Sequence, residues 1–488
     1  MWAHLYILSR QGDSMNNETD SQLALEKIRT FSSMDDSLLE RVRLTGLEPV
    51  LPSVYKTGVA AQSTIAASAL AASEMWRFRT GKTQDVSVDM KHAAIGFRSE
   101  RYTEINGGDT SKTFASSGAG DNPSEVHGFY KCGDGGWLQI HANYPAHKQG
   151  ILEAFNCEST KKAVQDTLSK MTASEAETYL TERALPAAMM RTLHEWSAHP
   201  QGMAVSRLPL IEIEKIGEAD PLNFSDNPQR PLEGVKVLEL TKVLAGPLMG
   251  RTLAEHGANV LWLNDPHLDV IDGLVMDMSK GKYPAHLDLN NEVDKDTFTR
   301  LARSADVFIQ GYRPGSIASK GFSPHDMAEI HPGIVCVEIS AFSHEGPWSN
   351  RRGFDSIVQT VSGIGREGGI AKNQEGMVHL PCQALDHGTG YLGAFGAMVA
   401  LLKQRREGGS WRVRLSLAQT AHWLKSLGRM NEITSPDIER SDITEYLGEV
   451  ESSYGKITFT KPVAQLSETP GFWALPPSPF GSCEPMWH

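Results

Sequence analysis

Cysteine is scarce in this chain. Cys132, Cys157, Cys336, Cys382 and Cys483 are 5 residues in 488, and no two form a C-x-x-C pair. A zinc ribbon or a disulfide framework needs paired cysteines, so neither is expected. Reduced thiols in a reducing compartment are expected instead. Long apolar runs are missing too: no window approaches the ~18 apolar residues of a membrane span, so no membrane association is expected. The apolar stretch near the start, MWAHLYILSRQGDSMNNE (1–18), has no basic flank and no small-residue cleavage site, so a secretory signal is not expected. The closing EPMWH is not an SKL-type peroxisomal address. Cytoplasmic placement is the expectation, with peroxisome and mitochondrion left open.

Positive charge is also in deficit. The formal net charge is −12 and the isoelectric point about 5.8. Such a chain repels phosphate backbones, so nucleic acid is not an expected partner. An anionic small molecule would need a local basic patch. That is feasible, because charges more than ~10 Å apart are largely screened at 0.1 M salt. No His/Asp/Glu group has metal-ligand spacing in the sequence, so no metal is expected. The G-x-G-x-x-G fingerprint is missing from the turn TKVLAGPL (241–248), which argues against a nicotinamide-dependent dehydrogenase.

What is present describes a globular chain of two or three domains, with 40% hydrophobic and 22% charged residues. Residues 1–35 read as polar and irregular. The alanine-rich run 60–82 favours a helix stopped at Gly81, and QDVSVDM (84–90) alternates as a strand does. Residues 103–125 read as a loop. HGFYKCGDGGWLQIHA (127–142) reads as two short strands around a glycine turn, followed by helical segments over 145–205. The polar stretch 219–234, with a core linker at 226–233, separates this half, 36–225, from the rest, 234–488.

The second half opens with VKVLELTKVLAGP (235–247), a helix over 248–256, and a second strand ANVLWL (258–263). This is the start of a parallel βαβ sheet. ADVFIQGY (305–312) and GIVCVEISAF (333–342) read as further strands. The expected fold is therefore α/β, an open parallel sheet flanked by helices, with a small α+β domain beside it. Ligands should bind at the carboxyl ends of the strands. An internal repeat also shows: 76–94 resembles 401–421, and aligning Gly81 with Gly408 gives an offset of 327 (408 − 81). The first copy is expected to lack the βαβ start, and the second to pass from Trp423 almost directly into a tail.

Asp386 opens the glycine-rich segment QALDHGTGYLGAFGAMVALL (383–402). An aspartate where a helix begins is commonly an N-cap, accepting from a backbone N–H one turn on. The same place suits a carboxylate nucleophile. The helix N-terminus favours its ionised form, and Gly388, Gly390 and Gly393 would let a bulky thioester approach the backbone. Both readings stand on local grounds.

The segments PLEGVKVLELTKVLAGP, GANVLWL, SKGKYPAHLDL, ADVFIQGYRPG, GFDSIVQTVSGI, ALDHGTGYLGAFGAMVALL, GGSWRVRLSL and KPVAQLSETPGFW, in this order, resemble the class III coenzyme A transferase (CaiB/BaiF) family. The first half resembles the later part of the same family, as a partial, rearranged tandem copy. In that copy Val59 stands at the position of Asp386, so the copy is expected to be catalytically empty. The resemblance implies an acyl-CoA:carboxylate CoA-transferase in which Asp386 forms a covalent aspartyl-CoA thioester. It implies coenzyme A thioester as substrate, a carboxylic acid as second substrate, no permanently bound cofactor, and a possible homodimer. It places CoA contacts at Leu244, Lys282, Gly311, Tyr312 and Arg313. The family's basic positions are eroded at Leu263-Asn264-Asp265 and at Ser319, beside Lys320. Arg351 and Arg352 could hold a carboxylate or phosphate. Racemases of the same superfamily carry a histidine where this chain has Phe354, and two acid–base groups are needed for racemisation. Transfer therefore ranks above racemase or isomerase chemistry. A catalytically inactive CoA-binding homologue is the third reading.

Overall fold

A computed structural model describes residues 19–109 and 125–488. Its centre is a seven-stranded sheet. In chain order the strands are β1 (Glu212–Gly217), β2 (Lys236–Leu240), β3 (Asn259–Asn264), β4 (Lys282–His286), β5 (Val307–Gln310), β6 (Val335–Ser340) and β7 (Ser410–Ser416). Spatially they run β4-β3-β2-β5-β6-β7-β1. All neighbours are parallel except β1, which pairs antiparallel with β7 at the edge. The strands are rich in Val, Leu, Ile and Phe because both faces are covered, as a parallel sheet requires. The chain winds outward from β2 to β4 on one side, then returns to β5 and winds the other way. The β2/β5 junction is therefore the switch point where a crevice opens beyond the carboxyl ends of the strands.

Five helices frame the site and the core behind it. They are α1 (Asp20–Arg29), α2 (Thr57–Thr80), α3 (Ala245–Glu255), α4 (Asp355–Val361) and α5 (Ala384–Glu407). Helices α2 and α5 are both 24 residues long, begin 327 positions apart (384 − 57) and pack against each other. Each is buried almost all round, which explains why both are built from Ala, Gly, Ser and Leu rather than from an amphipathic stripe. Each is followed by a strand and a short helix: Val86–Asp89 then Met90–Gly96, and β7 then Leu417–Ser426. The repeat is thus a structural pairing, with each copy covering the other.

Several sequence expectations change here. The N-terminal segment is not wholly irregular. Residues 20–29 form α1, closed by a capping box between Thr19 and Gln22. The first copy does contain a crossover, because Val42–Thr45 runs parallel to Val86–Asp89 with α2 between them. The tail after Trp423 folds into a hairpin, Leu447–Ser452 with Gly455–Thr460, within a four-stranded sheet that also takes Glu104–Ile105. Most of the loop expected at 103–125 lies outside the described residues.

The division at the linker is not a division of the core. One apolar cluster runs from Leu25 through Leu248 and Phe395 to Leu466. Strand β1, before the linker, belongs to the large sheet, and Gln465–Leu466 pairs with Val86–Asp89 in the first half. The linker is itself pinned: Arg79 at the end of α2 donates to the carbonyls of Ser225, Pro231 and Glu233. The small domain has its own core around Tyr130, Leu138, Ile151 and Leu180. Its hairpin Gly128–Lys131/Trp137–Ile140 gains a third strand, Ala187–Met189. Among the described residues, no helix is long and apolar enough to cross a membrane.

Candidate active site

A cleft of about 580 Å³ opens at the switch point. Its floor is made by residues just beyond the strands: Thr241 after β2, Asp265 after β3, Leu287 after β4, Gly311 after β5 and Ala341 after β6. Val243 holds the β2–α3 turn with φ of +71°, a conformation that a β-branched residue rarely adopts. The turn leads directly into the N-terminus of α3, and such ends favour anionic groups.

The cleft carries the local basic patch that an anionic ligand would need. Lys242, Arg313, Lys320, Arg351 and Arg352 line it, against Asp265, Asp269 and Asp386. Arg351 pairs with Glu177 at 2.9 Å, a carboxylate it shares with Arg191. The other four cations have no ion-pair partner among the described residues. Lys242 donates to the Asp269 carbonyl and Lys320 to the Asn290 side chain. The Arg352 guanidinium lies 3.0 Å from His147 Nε2. Burial pushes His147 down to about 4, so the ring is neutral and can accept this bond.

Leu244, Gly311, Tyr312 and Arg313 all lie on the wall of this cleft. Lys282 does not. Its side chain is completely buried beneath the sheet's end, 2.8 Å from Glu239, and it donates to the Pro247 carbonyl at 2.7 Å. Its ammonium also sits over the Trp262 ring, 4.2 Å from the centroid. The physical reason is direction: Lys282 starts β4, so it lies at the amino end of a strand whose carboxyl end faces the cleft. Tyr144 and His147 reach the cleft from the small domain. Nothing local in the sequence marks them. Only the folding of one half over the other brings them there.

Asp386 lines the cleft as the third residue of α5, and 8% of it is exposed. It is not the helix cap. The residue before the helix, Gln383, makes no side-chain capping bond. The cap comes from another helix: Asp355 Oδ2 accepts from Leu385 N at 2.8 Å and from Asp386 N at 3.0 Å. The second Asp355 oxygen is held by Gln359. The Asp386 carboxylate is left with no hydrogen bond or ion pair among the described residues. Burial, then the charges of Asp355 and Glu100, raise it well above the usual carboxylate range. The helix N-terminus favours the ionised form, while desolvation and two nearby carboxylates oppose it.

The glycines do not expose the backbone to a ligand either. A Cβ on Gly390 would lie 2.7 Å from the Ala245 carbonyl, and one on Gly393 would lie 2.1 Å from the end of Met249. They let α5 pack tightly against α3. His387, the neighbour of Asp386, points away into the protein, with Nε2 3.0 Å from Glu100. Phe354 lies flat on His141, with ring centroids 3.9 Å apart, in the cleft wall. The fold also gathers Asp265, His267 and Asp288, whose ligand atoms lie within 4.8 Å of one another. Their spacing in the sequence does not reveal this grouping.

The sequence profile described as CoA-transferase family III matches residues 42–223 and 232–452, most of the chain. The chain belongs to that family. The two matched segments part at 224–231, inside the linker. Among curated relatives of this family III chain, "Acetyl-coenzyme A transferase nodX" of Hypoxylon pulicicidum is 29% identical over 64% of this chain and 57% of its own length. "Acyl-CoA transferase" of Gibberella moniliformis is 27% identical over 78% of this chain and 73% of its own. The chain therefore spans little more than half of the first relative. The crystal structure of Rv3272 from M. tuberculosis is 28% identical and covers 41% of this chain and 59% of its own, with a TM-score of 0.36.

Proposed function

We propose that this family III protein is an acyl-CoA:carboxylate CoA-transferase that works through Asp386. The observation that carries the reading is the unbonded Asp386 carboxylate on the wall of a cationic cleft at the switch point. The four unpaired cations there would hold the phosphates of an acyl-CoA, and the Asp386 carboxylate would meet its thioester carbonyl.

In its ionised form, an Asp386 oxygen attacks the thioester carbon. The C–S bond breaks with its electron pair on sulfur, leaving a mixed anhydride and CoA thiolate. The thiolate then attacks Asp386 Cγ, expelling the first acid as its carboxylate and leaving an aspartyl-CoA thioester. A second carboxylate attacks that thioester, and the same two steps in reverse return free Asp386 and a new acyl-CoA. No net proton is consumed, and one difficult exchange is divided into easier steps.

The test is exchange of label. The protein is incubated with unlabelled acyl-CoA and the matching ¹³C-labelled free acid, over a panel of short chains. Appearance of ¹³C in the acyl-CoA pool, dependent on Asp386, is the expected result. CoA binding without label exchange would contradict transfer. Deuterium incorporation at the α-carbon from heavy water would move the assignment to racemase-like chemistry.

A further inference from the structure

The two copies of the repeat differ at the nucleophile and agree at the cap. In the second copy, Asp355 accepts from the backbone of Leu385 and Asp386. With the offset of 327, the equivalent residues in the first copy are Gly58 and Val59. There a carboxylate does the same thing. Glu48 Oε1 accepts from Val59 N at 3.0 Å, Gly58 N also bonds to Glu48, and Oε2 accepts from Val50 N at 3.1 Å. The two carboxylates reach the helix from different places in the sequence, Glu48 from 11 residues before Val59 and Asp355 from 31 residues before Asp386. Capping by a remote acid is thus a constant of the repeat, whether or not a nucleophile is present.

An aspartate in the first turn of a helix competes for that helix's own free N–H groups. In the second copy the competition is already decided, since Asp355 occupies the N–H groups of Leu385 and Asp386. We propose that Asp355 is a positioning residue for Asp386: it takes the capping bonds of α5, so that the Asp386 carboxylate is left unbonded toward the cleft, beside a second negative charge. This rests on the transferase reading for its role in turnover, though not for its geometry.

The neighbouring charge has a chemical consequence. A carboxylate that holds its proton more tightly is a more basic, stronger nucleophile once ionised. The charged groups facing Asp386 are Asp355 from α4 and Glu100 from the turn Ser99–Tyr102, while His387 is turned away onto Glu100. Arg101 lies 4.0 Å from Glu100, and Arg98 is committed to Asp437. Among the described residues, no cation pairs with Asp355 or Asp386.

The test uses the full chain with Asp355→Asn and Asp355→Ala. Asparagine keeps an oxygen for the two N–H groups and loses the charge, while alanine loses both. The readout is the pH midpoint of carbodiimide labelling of Asp386, located by peptide mass spectrometry, with kcat measured alongside. In Asp355→Asn the labelling midpoint and the acid limb of kcat both move to lower pH. In Asp355→Ala, kcat falls by about tenfold to a hundredfold, the scale of a misplaced reacting group. Glu48→Gln, in the empty copy, leaves the labelling midpoint where it is. An unchanged midpoint in Asp355→Asn overturns the proposal. If Asp355→Ala does not fold, the asparagine variant decides alone. If the wild-type protein transfers no CoA, the transferase reading fails while the labelling shift still tests the positioning.

Discussion

Replacing Lys282 by methionine separates two accounts of one residue. Sequence resemblance puts Lys282 among the CoA contacts. The geometry makes it half of a buried ion pair. Both Lys282 and Glu239 have fully buried side chains, 2.8 Å apart. The ammonium also donates to Glu239 Oε1 at 3.1 Å and to the Pro247 carbonyl at 2.7 Å. Burial pushes Lys282 down to about 8 and raises Glu239, so both ions are held against the desolvation cost. In Lys282→Met, Glu239 keeps only the Thr241 hydroxyl at 2.5 Å as a donor. Breaking a buried pair by removing one partner costs about 3–5 kcal/mol, whereas replacing both by apolar groups is often close to neutral. Thermal and urea unfolding should therefore show a loss of about 3–5 kcal/mol for Lys282→Met. The double variant Lys282→Met/Glu239→Leu should recover most of it. The KM for acyl-CoA should not change in whatever fraction stays folded. An unchanged unfolding curve with a tenfold higher KM would refute the reasoning and restore Lys282 to the ligand.

Other consequences are equally open to measurement. Asp277 is buried between Arg251 at 2.7 Å and Lys280 at 2.6 Å, and these charges hold it far below the usual carboxylate range. Its folded value is depressed, so its contribution is fully present above an unfolded value of about 3.9 and is lost as pH falls below it. Asp277→Asn should flatten that acid limb of stability and lower stability by about 3–5 kcal/mol at neutral pH; an unchanged limb in pH-dependent unfolding would contradict this. Gly390→Ala would press on the Ala245 carbonyl at 2.7 Å. It should cost about 1–3 kcal/mol in urea unfolding and raise KM by shifting the start of α3; a neutral result would mean that the helices separate freely. Val243→Gly should leave stability within about 1 kcal/mol of wild type, because relieved strain of ~1–3 kcal/mol offsets the entropy cost of glycine, ~0.5–1 kcal/mol, and the packing lost with a half-buried side chain that touches the core. A loss of about 2–3 kcal/mol would show that the turn is unstrained.

Much of the large sheet was readable because parallel strands buried on both faces carry continuous apolar runs. β2, β3, β5 and β6 announce themselves in this way. β1 and Ala187–Met189 did not, since one is an edge strand and the other only three residues long. Helix α1 does carry a local signal, since Thr19 and Gln22 have capping-box spacing. At the site, the residues after β2 and β5 are legible because strand ends place them at the switch point, and Asp386 is legible because it stands in the first turn of a glycine-rich helix. Lys282 was misplaced because resemblance gives an aligned position and not the direction of a side chain. The role of Asp355 was hidden for a related reason. Its two bonds join residues 30 and 31 positions apart, and the glycine-rich run invited a reading of exposed backbone that close helix packing explains instead.

The most direct test of the central claim is intact-protein and peptide mass spectrometry after incubation with short acyl-CoAs, with hydroxylamine trapping. The account predicts a CoA adduct or hydroxamate on Asp386 that is missing in Asp386→Asn. Label exchange with no adduct at Asp386, or an adduct that persists in the asparagine variant, would contradict it.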